Sequence, residues 1–297
     1  MLKKTYETIK ADHPDTSVVG PAPSYHDILN WMESLYQLGG LPYMDAITLH
    51  PYNFPAPPEG LEQLTETYRN MIRKYNNGND KPIWFTEDGW PTHSDGISEQ
   101  LQASYLVRSY VLALSAGVEK MFWYDFMDDG TDATNAEHRF GIIRNEGDSL
   151  GSLAPKPSYV TYAVMTRELT GAQYVARDAT DAAIRSYEFQ KDGMPIRAIW
   201  AISPKQVKLR TDEPVMLTDM MGTTETLNPL DGYVYISLTG EPLYVTGNVQ
   251  SVEESDAFVL TAAKGVVGES GTATLRVHNP SVNALDAELV IDGAISP

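Results

Sequence analysis

Apolar residues follow two regimes along the chain. Up to about residue 172, short runs rich in β-branched and aromatic residues, at 16–19, 45–49, 82–86 and 120–124, alternate with longer stretches of helical period at 27–38, 60–75, 98–116 and 158–169. Short apolar runs suit strands buried on both faces, and apolar positions recurring every three or four residues suit amphipathic helices. Their alternation predicts βαβ units and therefore a parallel sheet. Successive strands lie about 30–40 residues apart, close to the spacing of an eightfold βα barrel, and four strands make half of one. Before the first strand, Leu2, Tyr6 and Ile9 form the expected inward stripe of a helix ending near His13-Pro14.

From Gln173 the helical period stops. Alternating runs at 183–189, 196–202, 215–218, 233–238 and 243–245 are punctuated by Asp192-Gly193, Asp231-Gly232 and Gly240, residue types that tolerate the positive φ of tight hairpins. This predicts an antiparallel β-sandwich over 173–247. A further β segment over 248–297, with runs at 257–262, 272–277 and 286–291, holds too few strands to close by itself. Residues 1–172 form the preceding β/α domain.

The chain has 297 residues, and 40 Asp and Glu against 22 Lys and Arg give a net charge of −18. Such a balance opposes approach to phosphate backbones and anionic bilayers, so neither nucleic acid nor a membrane is an expected partner. Without cysteine, thiol catalysis, disulfides and thiolate metal sites are excluded. No apolar run reaches the length of a membrane span, and Met1–Asp12 lacks the apolar stretch of a signal peptide. Asp125, Asp128, Asp129 and Asp132 lack the ligand ladder of a calcium loop and are expected to be a solvated turn. His50, His93 and His138 lack paired zinc spacing, so no metal and no cofactor is expected.

In a parallel βα barrel the C-terminal strand ends converge on one face. Three such ends here are polar and aromatic: Thr48-Leu49-His50-Pro51-Tyr52-Asn53, Trp84-Phe85-Thr86-Glu87-Asp88-Gly89-Trp90 and Phe122-Trp123-Tyr124-Asp125-Phe126. Carboxylates for nucleophilic or proton-transfer work, with rings to stack on pyranose faces and His or Asn for hydroxyls, suit a carbohydrate.

The segment 83–92 resembles the seventh strand of clan A glycoside hydrolases, 45–52 their sixth and 122–125 their eighth. Phe140-Gly141-Ile142-Ile143-Arg144 with Pro155-Lys156-Pro157-Ser158-Tyr159 is similar to the approach to their last barrel helix. The resemblance covers roughly 1–172 and implies an α/β fold: a partial TIM-type barrel holding strands five to eight, followed by a β-sandwich such as family 39 and its relatives carry. It implies Glu87 as the nucleophile of a retaining mechanism on plant-type oligo- or polysaccharides, with His50, Tyr52, Trp90, Trp123, Tyr124 and Asp125 lining the substrate cleft. Members of that family are often secreted. The acid/base Glu that follows an Asn on the fourth strand has no counterpart. Asn145-Glu146, the one Asn-Glu pair, falls after the eighth strand.

A half barrel leaves strand edges and apolar interior open, which favours association by twofold symmetry into a homodimer or higher oligomer. In that arrangement Glu87 of one copy would face the cleft of the other, or an acid such as Asp125 or Glu137 would serve as proton donor. A catalytically weak or inactive remnant that only binds carbohydrate is the alternative.

Overall fold

Residues 1–23, 28–255, 258–262 and 273–277 are described by a computed structural model. They divide into two units, Met1–Ala176 with Met220–Gly222, and Arg177–Asp219 with the residues from Thr223 onward.

In the first unit, β1 (Ile47–Leu49), β2 (Ile83–Asp88) and β3 (Lys120–Trp123) form a parallel sheet in that order. Ile47 pairs with Ile83 and Leu49 with Phe85; Trp84 pairs with Lys120 and Phe85 with Met121. The register then shifts, because the next paired residues are Asp88 and Trp123. Three steps on β2 face two on β3, so β2 carries one extra residue, a bulge that bends the strand and re-aims its side chains.

The fourth expected parallel strand does not form. Residues 16–19 contribute one parallel bridge, Val19 to Ala46. The reason is local: the Val18 N–H is taken by the Asp45 carboxylate at 2.7 Å, and Pro21 and Pro23 just beyond have no N–H to extend a ladder. Helix α1 (Leu2–Asp12) buries none of its residues fully, but Leu2, Tyr6 and Ile9 are half-buried along one face, forming the expected inward stripe. Asp45 also holds it, accepting from Tyr6 at 3.1 Å and pairing with Lys10 at 2.8 Å.

Between the strands run α2 (Ile28–Gln37), α3 (Leu61–Tyr75) and α4 (Glu99–Ser115), with α5 (Pro157–Leu169) after β3. Helix α3 buries Leu61, Thr65, Tyr68 and Ile72, a single stripe at helical spacing. Helix α4, capped by Ser98 accepting from the Leu101 N–H, is buried continuously from Gln102 to Ala113. Its polar residues are therefore paired: Gln102 donates to the carbonyls of Trp90 and Phe140 at 2.8 and 3.2 Å and accepts from Ser158 at 2.8 Å. One amide thus ties the loops after β2 and β3 to α5.

A second buried polar cluster lies below those loops. Asp128 and Lys156 are 0% and 1% exposed and pair at 2.7 Å; Lys156 also donates to Thr92 at 3.1 Å, and Arg139 reaches Asp148 at 2.7 Å. The solvated turn expected around Asp128 is corrected for that residue, whereas Asp129 and Asp132 are exposed. Burial pushes the Asp128 carboxyl up and the Lys156 ammonium down, each against the attraction of its partner.

The second unit follows β4 (Gln173–Arg177), within which the chain leaves the first. Its strands β5 (Ile184–Lys191), β6 (Met194–Ala201), β7 (Lys205–Arg210), β8 (Val215–Asp219), β9 (Thr224–Leu227), β10 (Tyr233–Leu238), β11 (Leu243–Thr246) and β12 (Ser251–Glu254) are antiparallel. One sheet runs β5-β6-β11-β8-β9 and another β10-β7-β12. Ile184, Ile199, Val215 and Val245 of the first share a core with Leu209, Val234, Ile236 and Val252 of the second. The β5–β6 turn has Asp192 and Gly193 at φ 50° and 83°, the left-handed pair a two-residue hairpin requires. Phe258–Ala262 and Ala273–Val277 pair antiparallel, and the expected run at 286–291 lies outside the described residues.

Asp88, the last residue of β2, is fully buried, and neither carboxylate oxygen meets a side-chain donor. Burial raises it to about 8, opposed only by the Gly89 N–H.

Two stability predictions follow from these buried groups. Lys156→Met should cost about 3–5 kcal/mol in urea unfolding by stranding the Asp128 charge, and adding Asp128→Leu should recover much of the loss. For Asp88, the folded protein holds a proton that the unfolded chain releases near pH 3.9. Stability should therefore fall as pH rises from about 4 to about 8, by up to about 1.4 kcal/mol per pH unit, and level off above. Urea midpoints across that range should show this fall in the wild type and a flatter profile in Asp88→Asn.

Candidate active site

The bulge in β2 decides where Glu87 points. In a regular strand Thr86 and Glu87 would face opposite sides of the sheet. Here both meet the same imidazole: His50 Nε2 lies 2.9 Å from Thr86 Oγ1 and His50 Nδ1 lies 3.3 Å from Glu87 Oε2. A carboxylate only accepts, so Nδ1 carries the proton and Nε2 accepts from the Thr86 hydroxyl. Tyr52 donates to the same Glu87 Oε2 at 3.1 Å.

Both donors are neutral. Burial lowers His50 below the ordinary imidazole value, with Glu87 pulling the other way, so the contact is a hydrogen bond rather than an ion pair. Burial, then the Glu87 charge, pushes the Tyr52 phenol far up. Two donors thus hold Oε2, while the Glu87 side chain keeps 42% of its surface exposed.

An aromatic wall stands beside this pair. Tyr52 meets Tyr124 edge-on at 6.4 Å, and Phe140 packs against Tyr52, Phe54 and Tyr124 at 5.9, 5.5 and 5.2 Å. Phe54 was not among the residues expected to line the cleft, and Phe140, 2% exposed, backs the wall rather than facing a ligand. Phe140 stands in the quoted Phe-Gly segment, and Phe54 lies two residues beyond Tyr52 in an otherwise Pro-rich turn. Close approach of the two loops requires Gly89, because a Cβ there would lie 2.0 Å from the Tyr124 carbonyl oxygen.

Trp90 is corrected. It is 0% exposed, its indole N–H donates to the Ala56 carbonyl at 2.8 Å, and it stacks on Trp123 at 5.9 Å. It packs the underside of the site and offers no face to a ligand. Trp123 is half-buried with its indole nitrogen enclosed, so only part of its ring is open. Tyr124 and Asp125 are half-buried at the end of β3. Burial, then the charges of Glu137, Asp125, Asp129 and Glu87, raise Tyr124 to about 12. Burial also raises Asp125 to about 7, helped by Asp129 and Asp128. Asn145 and Glu146 lie in the loop between Arg139 and α5, where the Asn145 amide donates to the Asp128 carbonyl at 2.9 Å.

Among the described residues no three His, Asp or Glu side chains are grouped to hold a metal ion, and no helix is long and apolar enough to cross a membrane. The site as built offers a carboxylate with one restrained oxygen, further carboxyls around a tyrosine, and aromatic edges, which is equipment for chemistry on a polyhydroxylated, partly apolar ligand.

Comparison with known proteins points the same way. The sequence profile of the glycosyl hydrolase catalytic core family matches residues 2–153. A family 39 glycoside hydrolase from the gut symbiont Bacteroides cellulosilyticus WH2 is similar in structure, with a TM-score of 0.68 and 24% identity over 83% of this chain and 54% of that one. A family 51 arabinofuranosidase from Xanthomonas axonopodis pv. citri has a TM-score of 0.57 and 11% identity over 84% of this chain and 63% of that one. A β-porphyranase of family 86 from Bacteroides plebeius has a TM-score of 0.52 and 13% identity over 88% and 53%. The chain therefore spans about half the length of the family 39 and family 86 proteins. No curated protein sequence matches it. At these identities the structural likeness establishes the fold, and the profile match covers more than half of the 297 residues. The chain belongs to the glycosyl hydrolase catalytic core family, with the α/β fold of clan A glycoside hydrolases.

Proposed function

We propose that the protein is a retaining β-glycoside hydrolase acting on plant-type oligo- or polysaccharides, with Glu87 as its nucleophile. One observation carries this reading: Tyr52 and His50 both restrain Oε2 of Glu87, at 3.1 and 3.3 Å, beside a wall of aromatic rings. In the first step the unrestrained oxygen bonds to the anomeric carbon as the glycosidic bond breaks. In the second, water opens the resulting ester, and two inversions give net retention. The edges of Tyr52 and Tyr124 would pack on the sugar, His50 would keep its one proton on the nucleophile, and Asp125 would meet a hydroxyl or the leaving oxygen.

Residues 1–172 carry the chemistry in this reading, as a half barrel completed by association. Phe122 on the edge strand β3 is 50% exposed, as is expected of a surface that a second copy covers. The exposed, only partly covered aromatic surface of Phe122 and Phe126 also suits a second reading, a catalytically weak or inactive remnant that at most binds carbohydrate.

Hydrolysis of activated aryl β-glycosides separates the two, because a good leaving group needs little protonation. The wild type should turn over at least one of a glucoside, xyloside, galactoside and mannoside panel, and Glu87→Gln should lose more than about 10³-fold. A 2-deoxy-2-fluoro glycoside should label the peptide containing Glu87, as read by mass spectrometry. Equal traces of activity in both proteins would establish the remnant. Light scattering on the eluting protein should give at least twice the chain mass, and a compact monomer would overturn the assembly.

A further inference from the structure

Resting on that reading, we infer that Thr86 is a positioning residue for the nucleophile: its hydroxyl fixes which nitrogen of His50 carries the proton, and so which atom the ring presents to Glu87. The route has two short contacts. Thr86 Oγ1 lies 2.9 Å from His50 Nε2, and His50 Nδ1 lies 3.3 Å from Glu87 Oε2. Among the described residues the ring has no other polar partner, and the Thr86 side chain has none besides the ring.

A neutral imidazole has one N–H, so two arrangements compete. With the proton on Nδ1, the ring donates to the carboxylate and the Thr86 hydroxyl donates to the bare Nε2, so each hydrogen meets a lone pair. With the proton on Nε2, the hydroxyl can only accept from the ring, its own hydrogen meets no described acceptor, and Nδ1 turns a lone pair on Oε2. Rotating the ring by half a turn about its bond to Cβ breaks both contacts, because carbon atoms then occupy the two nitrogen positions. Glu87 and Thr86 therefore select the same tautomer from opposite ends of the ring, and Thr86 does so without touching the nucleophile.

The strand holds the hydroxyl in place. Threonine is stiff about χ1, and Phe85 just before it is paired with Leu49 on one side and Met121 on the other. The His50 side chain is only 14% exposed, so an Nε2 deprived of its donor would be left largely without water. No proton leaves the ring in either step of the reaction. The Nδ1–H stays on Oε2 while Glu87 is an ester and again as water displaces it and its charge returns. Its effect is orientation of the carboxylate, expressed in kcat more than in KM.

The test reads the His50 ring nitrogens by proton–nitrogen correlation NMR in the wild type, Thr86→Val and Thr86→Ser, with His50→Gln assigning the signals. The same proteins are assayed for kcat and KM on the aryl β-glycoside that the panel selects. Near neutral pH the wild type should show Nδ1 protonated and Nε2 bare. Thr86→Val, which keeps the shape and removes the donor, should lose that pattern and about 10–100-fold in kcat, with KM within about threefold. Thr86→Ser, which keeps the hydroxyl, should recover the pattern and most of the rate. A wild-type ring protonated on Nε2 would overturn the inference, and so would a Thr86→Val protein that keeps the wild-type nitrogen pattern; in either case Glu87→Gln still decides the nucleophile. A wild type without turnover would sink the hydrolase reading, and the nitrogen pattern, read without substrate, would still decide whether Thr86 sets the ring.

Discussion

The geometry of the site follows from one extra residue in β2. Without the shift between Phe85 and Asp88, consecutive side chains would alternate across the sheet, and His50 could not meet both Thr86 and Glu87. The shift turns Glu87 toward Tyr52 while Asp88 remains in the core. It also sets how the donors act. A cation beside Glu87 would neutralise the charge as well as orient it. Two neutral donors on one oxygen orient the group with a smaller electrostatic penalty, and burial keeps both neutral by lowering His50 and raising Tyr52.

Holding that arrangement requires the loops after β2 and β3 to stay in contact, and the fold does this with directional polar groups. Gln102 spans the carbonyls of Trp90 and Phe140, Gly89 lets the Tyr124 carbonyl approach, and Lys156 joins Asp128 to Thr92. Apolar packing alone would leave such loops free to slide, since dispersion and burial have little directionality. A buried ion pair contributes little net stability against an apolar replacement, so its effect here lies in fixing which loop atoms meet.

How far the sequence could be read depended on whether the deciding interaction was periodic or local. Helices α3 and α5 were legible because their burial repeats at helical spacing, α4 from its long helical stretch at 98–116, and strands β1 to β3 as short apolar runs between turns. Residues 16–19 misled, since their apolar character resembles a strand while Gly20-Pro21-Ala22-Pro23 denies it a ladder. Trp90 read as a cleft residue from its position past Glu87, but position cannot show that the Ala56 carbonyl accepts its N–H. Asp128 resembled its solvated neighbours because its partner, Lys156, lies 28 residues away. The bulge has no marker in Phe85-Thr86-Glu87-Asp88, and Phe54 and Phe140 meet only once the loops have folded.

Four carboxyls in two short stretches of sequence show how environment rather than residue type divides the work. Glu87 is half-exposed and restrained by two neutral donors; Asp88, the next residue, is fully buried and keeps its proton up to about pH 8. Burial, then the neighbouring Asp129 and Asp128, raise the half-buried Asp125 to about 7, whereas Asp128, three residues on, is locked to a lysine. A carboxyl group shifts with its solvation, its neighbours' charge and its hydrogen bonds, and Asp88, Asp125 and Asp128 each meet a different combination of the three. A pair of acids with opposing tasks needs such separation, because two identical environments would give two groups that ionise together. The fold achieves it by placing Glu87 within the bulge, Asp88 at its buried end, and Asp125 and Asp128 after β3, where Asp125 is half-buried and Asp128 fully buried.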